Sequence, residues 1–362
     1  MKVMTLFGTR PEIIRLSQVI KQLDRFCEQI LVHTGQNYDP NLSGIFFQEL
    51  DLRAPDIHLG ARADNFAEQV GQILARAGEV FARERPDRLL ILGDTNSALA
   101  AIIAARMQIP VYHMEAGNRC YDDRVPEEIN RRIIDHSSNV LMPYTHRSKE
   151  NLLREGIERQ RIFVIGNPIY EVLNAYAERI EASDVLARLS IVSDRFFLVT
   201  LHRAENVDQI NRLEKLLRGF TLVADTYQMP LVFSVHPRTA DKLAGFGLDP
   251  QSERVRLLKP LGFFDFVKLE HNAHCVLSDS GTVQEECCIF NVPNVTVRDV
   301  TERAETVEVG SNILTGAEPE AVLHSVRIAL ETNRDWQPPA EYVEKDVSRT
   351  VTNIMLGYTH GL

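Results

Sequence analysis

A chain of 362 residues, 44% hydrophobic and 25% charged, is too long for one ordinary core and globular in composition throughout, so it reads as two α/β domains of roughly 150–200 residues with a cleft between them. A formal net charge of −10 excludes a general binder of nucleic acid or of anionic membranes, since both roles need an accumulated positive field; a phosphate ligand would need a local cationic pocket. Five cysteines, odd in number and without zinc-ligand spacing, imply no metal site and fit a reduced, cytoplasmic compartment.

In chain order, Val3–Phe7 is the first strand; the apolar run stops at Gly8-Thr9-Arg10, too short for a signal-peptide core or a membrane span. Further strands are expected at Gln29–Val32, Arg88–Leu92, Val111–Met114, Val140–Met142 and Ile162–Val164, with amphipathic helical stretches between them. A second series follows Asn167-Pro168: Phe196–Thr200, Leu231–Ser234, Val255–Leu257, Cys275–Ser278, Asn294–Val297 and Ser311–Leu314. Strands alternating with helices in both halves predict two doubly wound parallel sheets. The boundaries fall at 1–167 and 168–346, because Pro168 cannot donate a backbone hydrogen bond and turns Asn167 away from helix. A last segment, 347–362, carries helical spacing after Pro338-Pro339; it packs back on the first domain or caps the second.

Polar clusters recur just past the strands, where open α/β sheets bind ligands. Gly8-Thr9-Arg10-Pro11-Glu12 follows the first strand: Gly8 permits a tight turn, Pro11 suits a first helical turn, and Arg10 is placed to meet a phosphate or is an ordinary surface arginine. Neither G-x-G-x-x-G nor G-x-x-x-x-G-K-[ST] occurs, which removes the usual support for a nicotinamide or P-loop site. Asp94, in Gly93-Asp94-Thr95, reads as an acid/base group or as a helix N-cap. Glu115, in His113–Gly117, and Glu127, in Pro126–Arg131, lie on neighbouring loops, although Glu127 and Glu128 also suit a helix N-terminus. Three carboxylates sharing a desolvated cleft would repel and raise the pKa of at least one. In the second half His202-Arg203 offers an imidazole and a guanidinium, and Asp279–Glu286 joins a strand, a small-residue turn and a helix start. Ser280, Gly281 and Thr282 are placed to present amides and hydroxyls to a diphosphate or to form a simple cap, and Glu286 is spaced to reach ribose hydroxyls. Arg298–Arg303 adds positive charge, or pairs with its own acids.

Taken in order over nearly the full length, Gly8–Glu12, Gly93–Thr95, His113–Gly117, Pro126–Arg131, His202-Arg203 with Glu205, Asp279–Glu286 and Arg298–Arg303 resemble the non-hydrolysing UDP-N-acetylglucosamine 2-epimerase family. The resemblance implies two Rossmann-like doubly wound domains facing a cleft in the glycosyltransferase-B arrangement, a homodimer, and no cofactor. It implies UDP on the second domain, with Ser280, Gly281 and Thr282 at phosphate, Glu286 at ribose and the Leu261 and Phe266 segment near uracil. Arg10, His202 and Arg303 would serve the diphosphate leaving group, and Asp94, Glu115 and Glu127 the sugar. The reaction implied is loss of the C2 proton with departure of UDP, giving a bound 2-acetamidoglucal, then return of UDP with protonation from the opposite face.

Two features depart from the family pattern. Arg15 stands where many members carry lysine, and Ser280-Gly281-Thr282 has one glycine where they often have two. The segment His33–Asp39 also departs from the stretch that forms an allosteric substrate pocket in some bacterial members, which argues against activation by substrate. Arg15-Leu16-Ser17 and the loop Asn118–Arg124 are similar to members that form UDP-N-acetyl-L-fucosamine from a 6-deoxy talose precursor. A hydrolysing epimerase, a UDP-sugar glycosyltransferase and a non-catalytic UDP-sugar sensor are the competing readings.

Overall fold

A computed structural model of the chain describes residues 1–36, 40–63, 65–332 and 334–359, with the side chains of 40–43 and 45 left aside. The backbone divides into two compact units, Met1–Ala175 with Ala340–Leu362, and Tyr176–Pro339. The chain thus passes between units at Ala175/Tyr176 and at Pro339/Ala340.

The first unit contains β1 (Lys2–Phe7), β2 (Glu28–His33), β3 (Ile57–His58), β4 (Arg88–Leu92), β5 (Val111–Met114) and β6 (Val140–Met142), all parallel, in the order β3-β2-β1-β4-β5-β6. The second contains β7 (Phe197–Thr200), β8 (Leu231–Ser234), β9 (Val255–Leu258), β10 (Cys275–Ser278), β11 (Asn294–Val297) and β12 (Asn312–Thr315), again parallel, in the order β12-β11-β10-β7-β8-β9. Each sheet reverses its winding once, between β1 and β4 and between β7 and β10, and ligands of doubly wound sheets bind at that switch point.

Local chemistry accounts for the elements. The central strands are continuous apolar runs with both faces covered, as β4 shows with all of Arg88–Leu92 buried. The helix Arg10–Phe26 starts where Pro11 pre-sets the backbone and Thr9 and Glu12 form a reciprocal capping box. Apolar side chains from Met4, Leu6, Val32, Leu89, Ile91 and Val111 form the core of the first sheet, and Phe197, Val199, Phe220, Leu231, Phe233 and Leu277 that of the second.

Two strand expectations differ from the structure. Ile162–Val164 is not a strand: one parallel bridge joins Ile162 to Leu141, and although the Phe163 and Ile165 amides still bond to the Leu141 and Pro143 carbonyls, no ladder of strand length forms; Phe163 packs edge-on to Tyr358. The edge strand β3 has only two residues, too few for an alternating pattern to register. The helix Val347–Gly357 lies against Arg10–Phe26, burying Val347, Val351 and Met355, and Ser348 anchors it to Glu171 through its amide (2.8 Å) and hydroxyl (2.5 Å). Among the described residues no helix is long and apolar enough to cross a membrane.

Candidate functional site

The switch point of the first sheet is built around a buried carboxylate. Glu12 Oε2 accepts hydrogen bonds from the Gly8 amide (3.0 Å), the Thr9 amide (2.7 Å) and the Thr9 hydroxyl (2.7 Å), while Oε1 accepts one from Thr95 (3.1 Å). The turn after β1 is thereby tied to the turn after β4. Burial raises the Glu12 carboxyl to about 7 against the pull of these donors. A Cβ on Gly8 would sit 2.1 Å from Thr34 Oγ1 and 2.2 Å from Ser97 Oγ, so glycine is required by close approach here. Arg10, partly exposed, lies over the Phe46 ring at 5.6 Å.

Asp94, two residues past β4, is gripped by Arg131: Nε donates to Oδ2 at 2.8 Å, and Nη1 of the same guanidinium reaches Glu128 at 2.7 Å. Asn130 donates to the Asp94 carbonyl at 3.0 Å. Glu115, directly past β5, adopts a left-handed backbone (φ 65°), and its Oε2 sits 2.6 Å from Arg15 Nη1. That conformation is costly for a residue with a Cβ and re-aims the side chain from the strand end. Asn118 donates to Oε1 at 3.2 Å, and Oε2 lies 3.6 Å from where a Cβ on Gly93 would project. Arg15 is itself buried and lies over the Tyr144 ring at 5.6 Å. Glu127, partly exposed, occupies the first turn of Pro126–Ser137, the helix that also supplies Asn130 and Arg131. Its neighbour Glu128 is structural: burial pushes its pKa up, but the Cys120 and Tyr121 amides and Arg131 outweigh burial and hold it below the carboxylate range.

The expected mutual repulsion of three acids is therefore modified, because Asp94 and Glu115 each face a guanidinium. Beneath them lies Asp135, which was not legible as a site residue. His113 bridges Asp135 Oδ1 and the Gly93 carbonyl, both at 2.9 Å, and Asp135 Oδ2 also accepts from the Gly117 amide (3.1 Å) and meets Arg119 (2.8 Å). Burial raises the Asp135 pKa, yet His113 and Arg119 hold it below its ordinary value. This buried network joins the strand ends that carry Asp94 and Glu115. A polar residue ten positions into an amphipathic helix, facing inward, was its only sequence signal. Gln36 Oε1 accepts from the Ser97 amide at 2.9 Å, but Asn37–Asp39, part of the segment linked to allostery, lie outside the described residues.

In the second unit the same plan recurs. Asp279, past β10, is fully buried and accepts from the amides of His202 (3.1 Å) and Arg203 (3.0 Å) and from Asn206 (3.0 Å), tying the β7 turn to the β10 turn. His202 Nδ1 lies 3.2 Å from Asp279 Oδ1, and its side chain is 35% exposed, so the ring is held on one edge and open on the other. Ser280 stands at the N-cap position of the helix Gly281–Phe290 without a side-chain capping bond, and that helix begins directly past β10 at the switch point. A Cβ on Gly281 would stand 2.8 Å from Glu302 Oε1. Thr282 follows in the first turn, partly exposed. Arg303 is buried and bonded through Nε to Glu285; Arg298 is buried too and meets Glu302 at 2.9 Å. Both arginines thus take acidic partners. Leu261 and Phe266 are partly buried against the apolar cluster that includes Val283 and Cys287, and Glu286 is buried on the inner side of Gly281–Phe290. The structure brings Arg10, Arg15, Asp94, Glu115 and Glu127 to the strand ends of one sheet, and His202, Ser280, Gly281, Thr282 and Arg303 to those of the other, while Glu286 lies further along the helix Gly281–Phe290.

The sequence model of UDP-N-acetylglucosamine 2-epimerases matches residues 21–356, which places the chain in the class of nucleotide-sugar 2-epimerases, enzymes of the isomerase type. The chain is 42% identical over 347 residues to the UDP-N-acetylglucosamine 2-epimerase of Methanocaldococcus jannaschii, covering 94% of this chain and 95% of that protein. A crystal structure of the Methanocaldococcus jannaschii enzyme in complex with UDP-GlcNAc and UDP is 41% identical with a TM-score of 0.93, covering 98% of this chain and 99% of that one. A UDP-2,3-diacetamido-2,3-dideoxy-D-glucuronate 2-epimerase from Pseudomonas aeruginosa is 36% identical, covering 91% of this chain and 92% of that protein. The chain belongs to the UDP-N-acetylglucosamine 2-epimerase family.

Proposed function

We propose that the chain epimerises C2 of a UDP-linked 2-acetamido sugar, with interconversion of UDP-N-acetylglucosamine and UDP-N-acetylmannosamine as its reaction. A base removes the C2 proton while the anomeric C–O bond breaks and UDP leaves with the bonding electrons; the C1=C2 glycal then takes UDP back at C1 and a proton on the opposite face of C2. The C2 hydrogen is weakly acidic, so the step needs a placed base together with cationic groups and amides for the departing diphosphate. In this reading Asp94, Glu115 and Glu127 handle the proton, and Arg10, His202, Arg303 and the Ser280-Gly281-Thr282 turn serve the diphosphate. Glu286 receives the ribose, Leu261 and Phe266 flank the uracil, and Arg15 orients Glu115. The observation that carries the reading is the pair Asp94 and Glu115 at adjacent strand ends, each against its own arginine. Two carboxyl groups oriented in this way at adjacent strand ends suit proton removal and return.

The two-domain arrangement, the homodimer, the cytoplasmic location and the supply of a precursor for a cell-surface polysaccharide belong to the same proposal. The absence of disulfides among the described cysteines fits a reducing compartment, and light scattering of the purified chain tests the dimer. A second reading takes a 6-deoxy UDP-2-acetamido-talose as substrate. It is favoured by Arg15, whose tie to Glu115 alters the reach of a sugar-facing position, and by the family's breadth, since the Pseudomonas aeruginosa relative is named for a different sugar.

Proton NMR in deuterated water with UDP-N-acetylglucosamine alone tests both. Deuterium entering C2 as UDP-N-acetylmannosamine appears is the expected result, with Asp94→Asn and Glu115→Gln each slowing exchange about 10²–10⁴-fold. Exchange only with the 6-deoxy substrate would transfer the reaction to the second reading. Exchange with neither would remove C2 epimerisation of either sugar.

A further inference from the structure

Glu270 and Glu286 bring two carboxyl groups into side-chain contact in the interior of the second unit. Glu270 stands near the end of the helix Phe263–Asn272, which packs on Gly281–Phe290; Glu270 is 0% exposed and Glu286 4%. Such a pair cannot hold two negative charges away from water, and the stable arrangement is one acid donating to one carboxylate. Three features say which group holds the hydrogen. Glu270 is the more deeply buried. Its Oε1 meets the Cys287 thiol at 3.6 Å, whereas no donor reaches its Oε2, which leaves that oxygen to carry the acid's own hydrogen. Burial, first, and the adjacent Glu286 charge, second, drive the Glu270 carboxyl well above the ordinary range, and only the thiol pulls the other way.

We propose that Glu270 is a positioning residue for nucleotide recognition: a neutral carboxylic acid whose O–H donates to the Glu286 carboxylate, keeping Glu286 ionised and fixing the direction in which it accepts hydrogen bonds from the ribose hydroxyls. The proposal rests on the reading that Glu286 receives the ribose. The bond spans two helices and so ties Glu286 to an element other than its own. An anionic acceptor binds a hydroxyl more strongly than a neutral one and loses less when it is already oriented.

The test compares the affinities of UDP and 2′,3′-dideoxy-UDP for the full chain by isothermal titration near neutral pH. The ratio of the two reports only the contact with the ribose hydroxyls. The unaltered chain is expected to prefer UDP by about tenfold or more. Glu286→Gln should collapse the preference and Glu270→Leu should lower it severalfold. Glu270→Gln, whose amide N–H still donates to Glu286, should restore it to within about threefold of the starting value. A preference that persists in Glu286→Gln would show that the ribose reading has failed and would take the proposal with it. A preference lost in Glu286→Gln but intact in Glu270→Leu would overturn the proposal and leave the ribose reading standing. Should Glu270→Leu not fold, infrared difference spectra of the unaltered chain against Glu270→Gln decide the matter: a protonated-carboxyl carbonyl band near neutral pH that disappears in the variant is expected, and its absence overturns the proposal.

Discussion

Glu12 is the single residue on which most of the first switch point hangs, and its burial has a measurable sign. Its carboxyl is raised from 4.5 to about 7 in the folded chain, so the native state keeps a proton that the unfolded state has released. Stability from this group is full below about pH 4.5, falls as pH rises toward 7, and is level beyond it, a loss of about 3 kcal/mol. Below that range the protonated Oε1 donates to Thr95 and the cap amides still bond to Oε2. Glu12→Gln should therefore flatten the descent while keeping the cap, as thermal melts at a series of pH values would record. Gly281 permits a second residue-scale test: its replacement by alanine puts a methyl carbon 2.8 Å from Glu302 Oε1 and 3.6 Å from the Arg303 guanidinium. Gly281→Ala should weaken UDP binding by about tenfold or more, read by titration, because Glu302, held by Arg298, must be displaced from beside the helix N-terminus. Gly281 and Ser280 were legible in the sequence because a small-residue turn between strand and helix has few other uses. Asp279 was read only as the start of that motif and Asp135 not at all, since a carboxylate that ties loops from beneath carries no local sign of the loops it meets.

At the scale of elements, the capping box, Pro11 and the apolar runs located helices and strands from local chemistry alone. The two elements that were missed or misread lie where local pattern is weakest: β3, not expected, has two residues, and Ile162–Val164 has the composition of a strand but finds one bridge at the sheet edge. The helix Val347–Gly357 shows what local pattern leaves open. Its stripe of Val347, Val351 and Met355 demanded an apolar partner, and only the folded chain supplies it, in the helix Arg10–Phe26. Val351 is wholly buried there. Val351→Ala should cost about 2 kcal/mol in denaturant unfolding of the first unit, the transfer of two methyl groups plus the cavity they leave. Asp135→Asn, which removes the charge shared by His113 and Arg119, should cost about 3 kcal/mol in the same measurement.

For the whole molecule, the proposed division of labour, nucleotide on the second unit and proton transfer on the first, predicts that binding and chemistry separate. A saturating nucleotide stabilises whatever binds it by RT ln(1 + [L]/Kd), about 2.7 kcal/mol at a hundredfold excess over Kd. UDP should raise the melting temperature of Asp94→Asn as much as that of the unaltered chain, although the variant turns over substrate about 10²–10⁴-fold more slowly. Gly281→Val should lose the thermal shift. The reverse pattern, a shift that depends on Asp94 and ignores Gly281, would place nucleotide binding on the first unit.

The sequence by itself determined the class of the fold, eleven of its twelve strands to within a residue or two and the candidate residues on the turns that follow them. Each of those depends on signals within about ten neighbouring residues: a burying run, a turn that needs glycine, a cap. The resemblance over ordered motifs determined the family in the same way, one short segment at a time. The tertiary structure alone decided which charges meet. Arg15 with Glu115, Arg131 with Asp94, Asp279 with the β7 turn and Glu270 with Glu286 join residues from 16 to 100 positions apart. Such pairs form because parallel strands bring the ends of distant segments into one row, where buried charge must find a partner, and no periodicity along the chain records which partner that is.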